Sequence, residues 1–297
     1  MKDYCAEFED YLRNSKSVSK NTLDSYLRDL GRFLSFCEDN GYTDPAAVPT
    51  DLIKKYTNFL HMQKKSCSTV LRNIASLRCF YQYLIVTGQA SENPAKSIHL
   101  EKPQKKLPQI LSGKEIELLL SQPDTSTSKG CRDKAMLELL YATGIRVSEL
   151  TALDLGDLDL KTGTLHCCHA KAYREIPVYS AAVTAVSDYL FRARSNLISP
   201  EGGQALFMNL NGRRMTRQGF WKIVKHYAHQ AQISKEITPH TLRHSFALHL
   251  LENGAELKDI QAMLGHADIS STQVYVRLMN HHFKEVYNQC HPRAKLG

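Results

Sequence analysis

The sequence lacks the features that mark secreted, membrane-spanning and metal-binding proteins. Its 8 cysteines are scattered and form no CxxC pair, which argues against a zinc ribbon or a thioredoxin-like site and predicts free thiols. No run of roughly 18 apolar residues occurs, and the opening segment, MKDYCAEFEDYL, lacks the apolar core of a signal peptide. It contains neither an internal repeat nor a low-complexity tract. We therefore expect a cytoplasmic protein that does not contact a membrane.

Charge is unevenly balanced, with 38 Lys and Arg against 30 Asp and Glu and a net charge of +8. This excess favours a polyanionic partner such as nucleic acid, although many other proteins share it. At 297 residues the chain is long enough for two domains, each with its own hydrophobic core.

The first 100 residues are predicted to be helical. Ser19 is suited to cap a helix over 22–37, and Thr50 is suited to cap one that ends at Met62. A third helix is expected over 67–87, with apolar residues on one face. Cations in this helix and just before it either form a solvated face or contact nucleic-acid phosphates. These cations are Lys64, Lys65, Arg72 and Arg78.

A basic segment with two prolines follows these helices. Residues 101–109, EKPQKKLPQ, contain three lysines and no helical periodicity, so they are predicted to form an extended linker. We place the domains at 1–100 and 111–297, with the linker at 101–110. Candidates for contacts between this linker and DNA phosphates are Lys102, Lys105 and Lys106.

The rest of the chain is predicted to be helical around one β-hairpin. The alternating segment Thr164–Val178 is rich in β-formers and predicts the hairpin. A helix over Arg132–Tyr141 is broken at Gly144, shortly before Arg146, which we expect at the start of the next helix. Further helices are expected over Ala181–Arg194, Thr216–Gln232, Thr241–Glu252, Leu257–Leu264 and Thr272–Tyr287.

Two segments carry residues suited to attack on a phosphodiester. They are HTLRHSFALHLL at 240–251 and IQAMLGHADISSTQVY at 260–275. His240 and Arg243 are three residues apart, so on a helix they share one face. A glycine before His266 ends the preceding amphipathic run, which places that histidine at a helix end. With Tyr275, this set indicates a phosphoryl-transfer site with a tyrosine nucleophile.

Fixed cations, and not metal ligands, are available for this chemistry. The charge on a pentacoordinate phosphate must be neutralised by metal ions or by cationic side chains. Arg146 and Arg243 can each bridge two phosphate oxygens, whereas no acidic cluster with metal-ligand spacing stands out. His240 and His244 form an HxxxH pair, but no glutamate follows His240 and no third zinc ligand is evident. The sequence favours chemistry without a metal or another cofactor.

Together with TGIRVSEL at 143–150, these segments resemble the tyrosine recombinase (phage integrase) family, most closely its Xer-type members. Other segments resemble that family's amino-terminal domain and linker: SKNTLDSYLRDLGRFLSFC at 19–37, NPAKSI at 93–98 and LPQILSGKEI at 107–116. The resemblance implies a mainly α fold with a small β-sheet. A helical, SAM-like core-binding domain would precede an α+β catalytic domain.

The resemblance also implies a set of catalytic residues: Arg146, Lys171, His240, Arg243, His266 and Tyr275. In this assignment His240 accepts the tyrosine proton and Lys171 protonates the departing 5′ oxygen. His266 either contacts the phosphate or packs beside the site. Glu149 either orients Arg146 or His240, or caps a helix.

The hairpin departs from the family pattern. The family's lysine usually lies between glycines, but in this chain Ala170 and Ala172 flank Lys171. An ungapped comparison with longer hairpins brings His169 to the position of the lysine, so His169 stays the alternative general acid.

The implied function is site-specific cleavage and rejoining of double-stranded DNA through a 3′-phosphotyrosyl intermediate, without ATP. Strand exchange between two recombination sites implies a tetramer, formed by this chain alone or with a related recombinase. The role could be chromosome dimer resolution, which serves chromosome segregation, or integration and excision of a mobile element. Alternatives are a DNA-binding regulator with a decayed catalytic domain and a DNA-relaxing enzyme like type IB topoisomerases. The terminal HHFKEVYNQC at 281–290 is expected to pack on its own domain or on a neighbouring protomer.

Overall fold

The computed structural model describes residues 3–101, 108–169, 172–199, 203–238, 240–265, 272–276 and 278–279, with the backbone alone at His169 and Ala172. The chain divides into two compact units, Met1–Lys105 and Lys106–Gly297. This division falls inside the predicted linker, of which residues 102–107, with Lys102, Lys105 and Lys106, lie outside the described residues. The domain bounds 1–100 and 111–297 stay predictions.

The first unit is helical. Its helices are α1 (Tyr4–Asn14), α2 (Lys20–Asp39), α3 (Thr50–Met62) and α4 (Cys67–Val86), with a 3₁₀ turn at Pro45–Ala47. The hydroxyl of Ser19 accepts a hydrogen bond from the Thr22 amide and caps α2 as expected. Thr50 is not the cap of α3: Pro49 occupies that position without a side-chain hydrogen bond, and Thr50 is the first helical residue. A proline fits there because the extended backbone at Pro49, with φ −77°, agrees with the φ that its ring imposes.

Aromatic rings fill the core of the first unit. Phe33 and Tyr56 meet edge to face with centroids 5.1 Å apart, and Phe80 meets Tyr81 in the same way at 5.4 Å. The buried Tyr56 hydroxyl is satisfied, because it donates to the Asn73 side chain at 3.0 Å. This core joins α1, α2, α3 and α4.

Helices surround a small sheet in the second unit, so the expected mainly α fold with a small β-sheet is confirmed. The helices are α5 (Gly113–Ser121), α6 (Ser128–Thr143), α7 (Val147–Ala152), α8 (Ser180–Asp188), α9 (Arg194–Leu197), α10 (Arg217–Gln230), α11 (Thr241–Glu252) and α12 (Leu257–Leu264). The strands are β1 (Leu158–Asp159), β2 (Thr164–His169) and β3 (Ala172–Pro177), antiparallel in the order β1-β2-β3. A 3₁₀ turn, Leu155–Asp157, precedes β1.

The hairpin register decides which side chains face the interior. Leu165 pairs with Ile176, and both are fully buried. Cys167 pairs with Arg174, two residues along each strand, so these side chains lie on the same inner face. A buried arginine on this sheet is therefore a consequence of strand pairing.

One predicted helix is interrupted. The segment expected as a helix over Ala181–Arg194 forms α8, a π-helical turn at Tyr189–Ala193, and α9. Within this wider turn Tyr189 is fully buried, and its hydroxyl accepts a hydrogen bond from the Met208 amide at 3.2 Å. Such π-turns insert one extra residue, which periodicity alone does not reveal.

Gly144 ends α6 with φ +58°, a left-handed conformation that glycine adopts without strain. A Cβ atom at this position would lie 2.2 Å from Cδ1 of Phe246 on α11. The chain therefore turns at this residue against α11, and two residues later Arg146 begins α7. None of the described helices combines the length and hydropathy needed to cross a bilayer.

We expect Gly144→Ala to destabilise the protein more than Gly254→Ala does. Gly254 also has positive φ, +91°, but a Cβ there meets no atom within 4 Å. The Gly254 variant should lose about 1–2 kcal/mol of unfolding free energy through strain alone. The Gly144 variant should lose roughly 1–3 kcal/mol more by overpacking against Phe246. Urea denaturation of both variants measures the difference, and equal losses would show that Phe246 moves aside without cost.

Candidate active site

Arg146 lies at the start of α7 and is held there by Glu149. Its amide donates to Oε2 of Glu149 at 2.7 Å, and its Nη1 donates to Oε1 at 3.0 Å. Its Nη2 lies 3.4 Å from the Gly265 carbonyl oxygen. The side chain remains 33% exposed, so the oriented guanidinium is accessible to a ligand. The Glu149 carboxylate therefore contacts both the amide at the start of α7 and the guanidinium of Arg146.

Arg243 is buried on α11 and donates to two helix ends. Its Nη1 and Nη2 each lie 2.6 Å from a carbonyl oxygen, of Gly144 after α6 and of Leu264 at the end of α12. Burial, together with the nearby charge of Arg146, lowers the pKa of Arg243 to about 10. The group is still protonated at neutral pH. The two arginines thus place positive charge close together.

His240 occupies the position before α11, without a side-chain hydrogen bond to the helix, and its pKa is lowered. Part of its side chain is exposed, but desolvation of the rest and repulsion from Arg243, Arg217 and Arg146 lower its pKa below the ordinary 6.5. A neutral imidazole can accept a proton, which agrees with the role expected for His240.

The hydroxyl of Tyr275 contacts His244 and not the predicted proton acceptor His240. It lies 3.0 Å from Nδ1 of His244, and Tyr275 is 1% exposed. The centroid of the His244 ring lies 6.1 Å from that of His240 and 5.6 Å from that of Tyr275. Burial raises the pKa of Tyr275, and the charge of Arg243 partly offsets that increase. The sequence analysis considered His244 only as one half of an HxxxH pair, for which no third zinc ligand was evident.

Arg174 is a site residue that the sequence did not single out. From β3 it donates to Oε2 of Glu149 at 2.8 Å, so this carboxylate serves two guanidinium groups. Burial alone would raise the pKa of Glu149, but the Arg146 amide and both guanidinium groups outweigh it and lower the pKa. A signal was available: Arg174 occupies an inward position in the alternation of the hairpin.

Two predicted catalytic residues, Lys171 and His266, lie outside the described residues. The structure shows the elements next to them. His169 pairs with Ala172, the pair of the β2–β3 hairpin that is nearest to Lys171 in the sequence. Gly265 ends α12 with φ +61°, so the helix end expected before His266 is confirmed.

Two family models match the chain. One is described as the phage integrase family and covers residues 109–282, and the other as the phage integrase N-terminal SAM-like domain, covering residues 5–88. The chain belongs to the phage integrase family. Tyrosine recombinase XerD of Listeria monocytogenes serotype 4b (strain F2365) is 44% identical over 297 residues, which are 99% of this chain and 100% of that protein. These findings confirm the expected Xer-type tyrosine recombinase and its class, a tyrosine-type site-specific recombinase enzyme.

Solved structures are similar as well. A crystal structure of XerA recombinase matches with TM-score 0.54 and 27% identity, covering 98% of this chain and 99% of that one. The Tn1549 transposon integrase in complex with circular intermediate DNA matches with TM-score 0.74 and 23% identity, covering 92% and 94%. The second likeness concerns the fold, including the helical first domain and the catalytic domain.

In the first domain of this phage integrase, two of the predicted DNA-binding cations are engaged within the protein. Arg72 donates to the buried Asp29 carboxylate at 2.6 Å, and Arg78 donates to the carbonyl oxygens of Ala95 and Ile98. Lys64 and Lys65 lie in the turn between α3 and α4, where Lys64 is exposed. A phosphate contact stays a prediction for all four, and Arg72 and Arg78 also have structural roles.

Cationic side chains, and not metal ligands, cluster at the site. In the part of the chain that the structure describes, no group of three or more His, Cys, Asp and Glu side chains could hold a metal ion. At the site, three arginines lie close together: Arg146, Arg174 and Arg243. Arg146 and Arg174 contact the Glu149 carboxylate, and Arg243 contacts carbonyl oxygens at the ends of α6 and α12.

His240 is expected to titrate below 6.5 in the folded protein, because burial and three guanidinium groups disfavour its protonated form. NMR titration of the imidazole protons, assigned with His240→Gln, measures this pKa. The same residue in urea-unfolded protein provides the reference value. A folded value at or above the unfolded one would contradict the repulsion inferred from the three arginines.

Proposed function

We propose that this chain cleaves and rejoins double-stranded DNA at specific recombination sites, with Tyr275 as the nucleophile. The observation that carries the proposal is the position of the Tyr275 hydroxyl, which bonds to His244 and lies within the influence of the Arg243 charge. Nucleophile, proton acceptors and anion-binding arginines therefore occupy one region, as phosphoryl transfer requires.

In the proposed reaction, the Tyr275 oxygen bonds to the scissile phosphorus and the bond from phosphorus to the 5′ oxygen breaks. The tyrosine proton passes to a histidine, and the departing oxygen takes a proton from Lys171. The products are a 3′-phosphotyrosyl link and a free 5′ hydroxyl. A hydroxyl of the partner strand reverses these steps. Because one phosphate ester replaces another, ATP is not needed, and the arginines would supply the positive charge that a metal ion supplies in other phosphoryl-transfer enzymes.

Arg146 and Arg243 would bind the non-bridging oxygens, whose charge grows in the pentacoordinate state. Fixed donors stabilise that charge without reorganising, since their orientation is set beforehand. Glu149 fixes Arg146, and the carbonyl oxygens of Gly144 and Leu264 fix Arg243. The arginines are thus oriented before DNA arrives.

Before DNA binds, His244 would hold the Tyr275 hydroxyl through their hydrogen bond. His240, whose lowered pKa favours the neutral form, would accept the tyrosine proton once Tyr275 reaches the phosphate. The Tyr275 side chain packs among apolar residues that include Phe246, Leu264 and Leu278. Because the hydroxyl is buried, Tyr275 must leave this cluster to reach a phosphate in DNA.

The proposed partners are duplex DNA and further protomers. The Tn1549 transposon integrase was solved with circular intermediate DNA, and this chain shares its fold. We propose a specific recombination site as the substrate and a tetramer in the synapse, made of this chain or shared with a related recombinase, in the cytoplasm. The lysines of the linker and the exposed Lys64 would contact phosphates.

Covalent capture tests this proposal. Nicked duplexes from a randomised pool are incubated with the protein, and adducts that survive detergent are recovered and sequenced. The wild-type chain should select a defined sequence. Binding without capture would indicate a decayed regulator, and plasmid relaxation without a site preference would indicate a topoisomerase-like enzyme.

Tyr275→Phe should bind the selected duplex but form no adduct, because it lacks only the attacking hydroxyl. Tyr141→Phe is the matched control, since the Tyr141 hydroxyl also bonds to a histidine, Nδ1 of His249, at 2.8 Å. That variant should keep the ability to form adducts. Persistence of adducts in Tyr275→Phe would transfer the role of nucleophile to another residue.

A substrate with sulfur at the bridging 5′ position separates Lys171 from His169 as general acid. Thiolate departs without protonation, so this substrate should restore cleavage to a variant that lacks the acid. Lys171→Ala should be slow on normal DNA and largely restored on the sulfur substrate. Arg146→Ala should stay slow on both, because it stabilises phosphorane charge. Restoration in His169→Ala and not in Lys171→Ala would reverse the assignment.

A further inference from the structure

Arg174 connects three elements around the site. It lies on β3 with 10% of its side chain exposed, and its Nε donates to the Met263 carbonyl oxygen in α12 at 2.9 Å. Its Nη2 donates to Glu149 of α7 at 2.8 Å. A Cβ atom on Gly265 would lie 2.9 Å from its Nη1, so the guanidinium packs against the residue that ends α12.

The charges around Glu149 explain why a second guanidinium is needed. One carboxylate paired with one guanidinium has no net charge, so Glu149 alone would orient Arg146 while cancelling much of its attraction for a phosphate. With Arg174 included, the group of Glu149 and two guanidinium groups has a net charge of one positive unit. Glu149 can then hold Arg146 firmly, and the region stays positive.

We propose that Arg174 is a positioning residue for DNA cleavage, which acts through Glu149 to keep Arg146 oriented and to offset the negative charge that Glu149 brings to the site. This inference rests on the proposed function. It assigns Arg174 no contact with DNA. Its influence on the phosphate is exerted through Arg146.

A purely structural role is the competing account. Arg174 would then only tie β3 to the end of α12 through the Met263 carbonyl oxygen. The two accounts differ in how Arg174 depends on Glu149. An offsetting charge matters only while Glu149 is negative, whereas a link between β3 and α12 matters whatever residue occupies position 149.

A double-mutant cycle distinguishes them. The first-order rate constant for adduct formation is measured at saturating protein on the captured nicked duplex, for the wild-type chain, Arg174→Met, Glu149→Gln and the double variant. Arg174→Met should slow adduct formation about 10-fold or more, because the negative charge of the transition state is then less well stabilised. In the Glu149→Gln background the same change should slow it by less than about 3-fold. Equal losses in both backgrounds would overturn the inference.

Two further variants control for the possibility that Arg174→Met acts only by destabilising the fold. Arg194 donates to the carbonyl oxygens of Gly203 and Ala205, so Arg194→Met removes a comparable structural arginine. It should lower Tm but leave the rate constant unchanged in both backgrounds. If Arg174→Met does not fold, Arg174→Lys replaces it. Lysine keeps the charge but not the planar fork, so a partial loss is expected with the wild-type Glu149 and a negligible one with Glu149→Gln.

The results that would refute the role of Arg174 differ from those that would refute the proposed function. If the wild-type chain captures no duplex, the proposed function is wrong. If the wild-type chain and Arg194→Met form adducts and Arg174→Met forms them equally fast, the proposed function stands and the role of Arg174 is refuted.

Discussion

The rest of the site depends on the hydrogen bonds that the buried guanidinium of Arg243 donates to the ends of two helices. A buried charge needs partners, and for Arg243 they are carbonyl oxygens at the ends of α6 and α12. Helix carboxyl ends carry partial negative charge, which is enough to satisfy an arginine without cancelling its charge. Arg243 therefore joins two helices and keeps its positive charge for a phosphate. Arg146 is held by a full carboxylate instead, and a second guanidinium accompanies it.

Both helices end in glycine for the same reason. Gly144 and Gly265 both adopt the left-handed conformation, with φ +58° and +61°. The carbonyl oxygens of these two glycines accept hydrogen bonds from Arg146 and Arg243, so each turn also supplies an acceptor for an arginine of the site. A side chain at Gly144 would meet Phe246, and one at Gly265 would meet Arg174. Backbone geometry and arginine placement are therefore linked at both turns.

The sequence predicted what local patterns determine. The bounds of α11 and α12 agree with their predicted residues, and the strand pair lies within the predicted hairpin. Arg146 was placed correctly at a helix start because a glycine break precedes it. The pairing of Arg174 with Glu149 was missed because it depends on strand register and on a contact between distant segments. The contact between Tyr275 and His244 was missed because local spacing does not show how the last segment packs against α11.

The buried position of Tyr275 affects how the enzyme would distinguish DNA sequences. When the Tyr275 hydroxyl moves away from His244, a hydrogen bond worth about 1 kcal/mol is broken. Movement of the tyrosine ring also exposes apolar surface of the cluster in which it packs. Under the proposed mechanism, contacts with DNA must offset this free energy before cleavage begins. A duplex that binds weakly can then occupy the protein without being cut. Discrimination between sites would be sharper at the cleavage step than at the binding step, since only well-matched DNA provides enough binding energy to release the nucleophile.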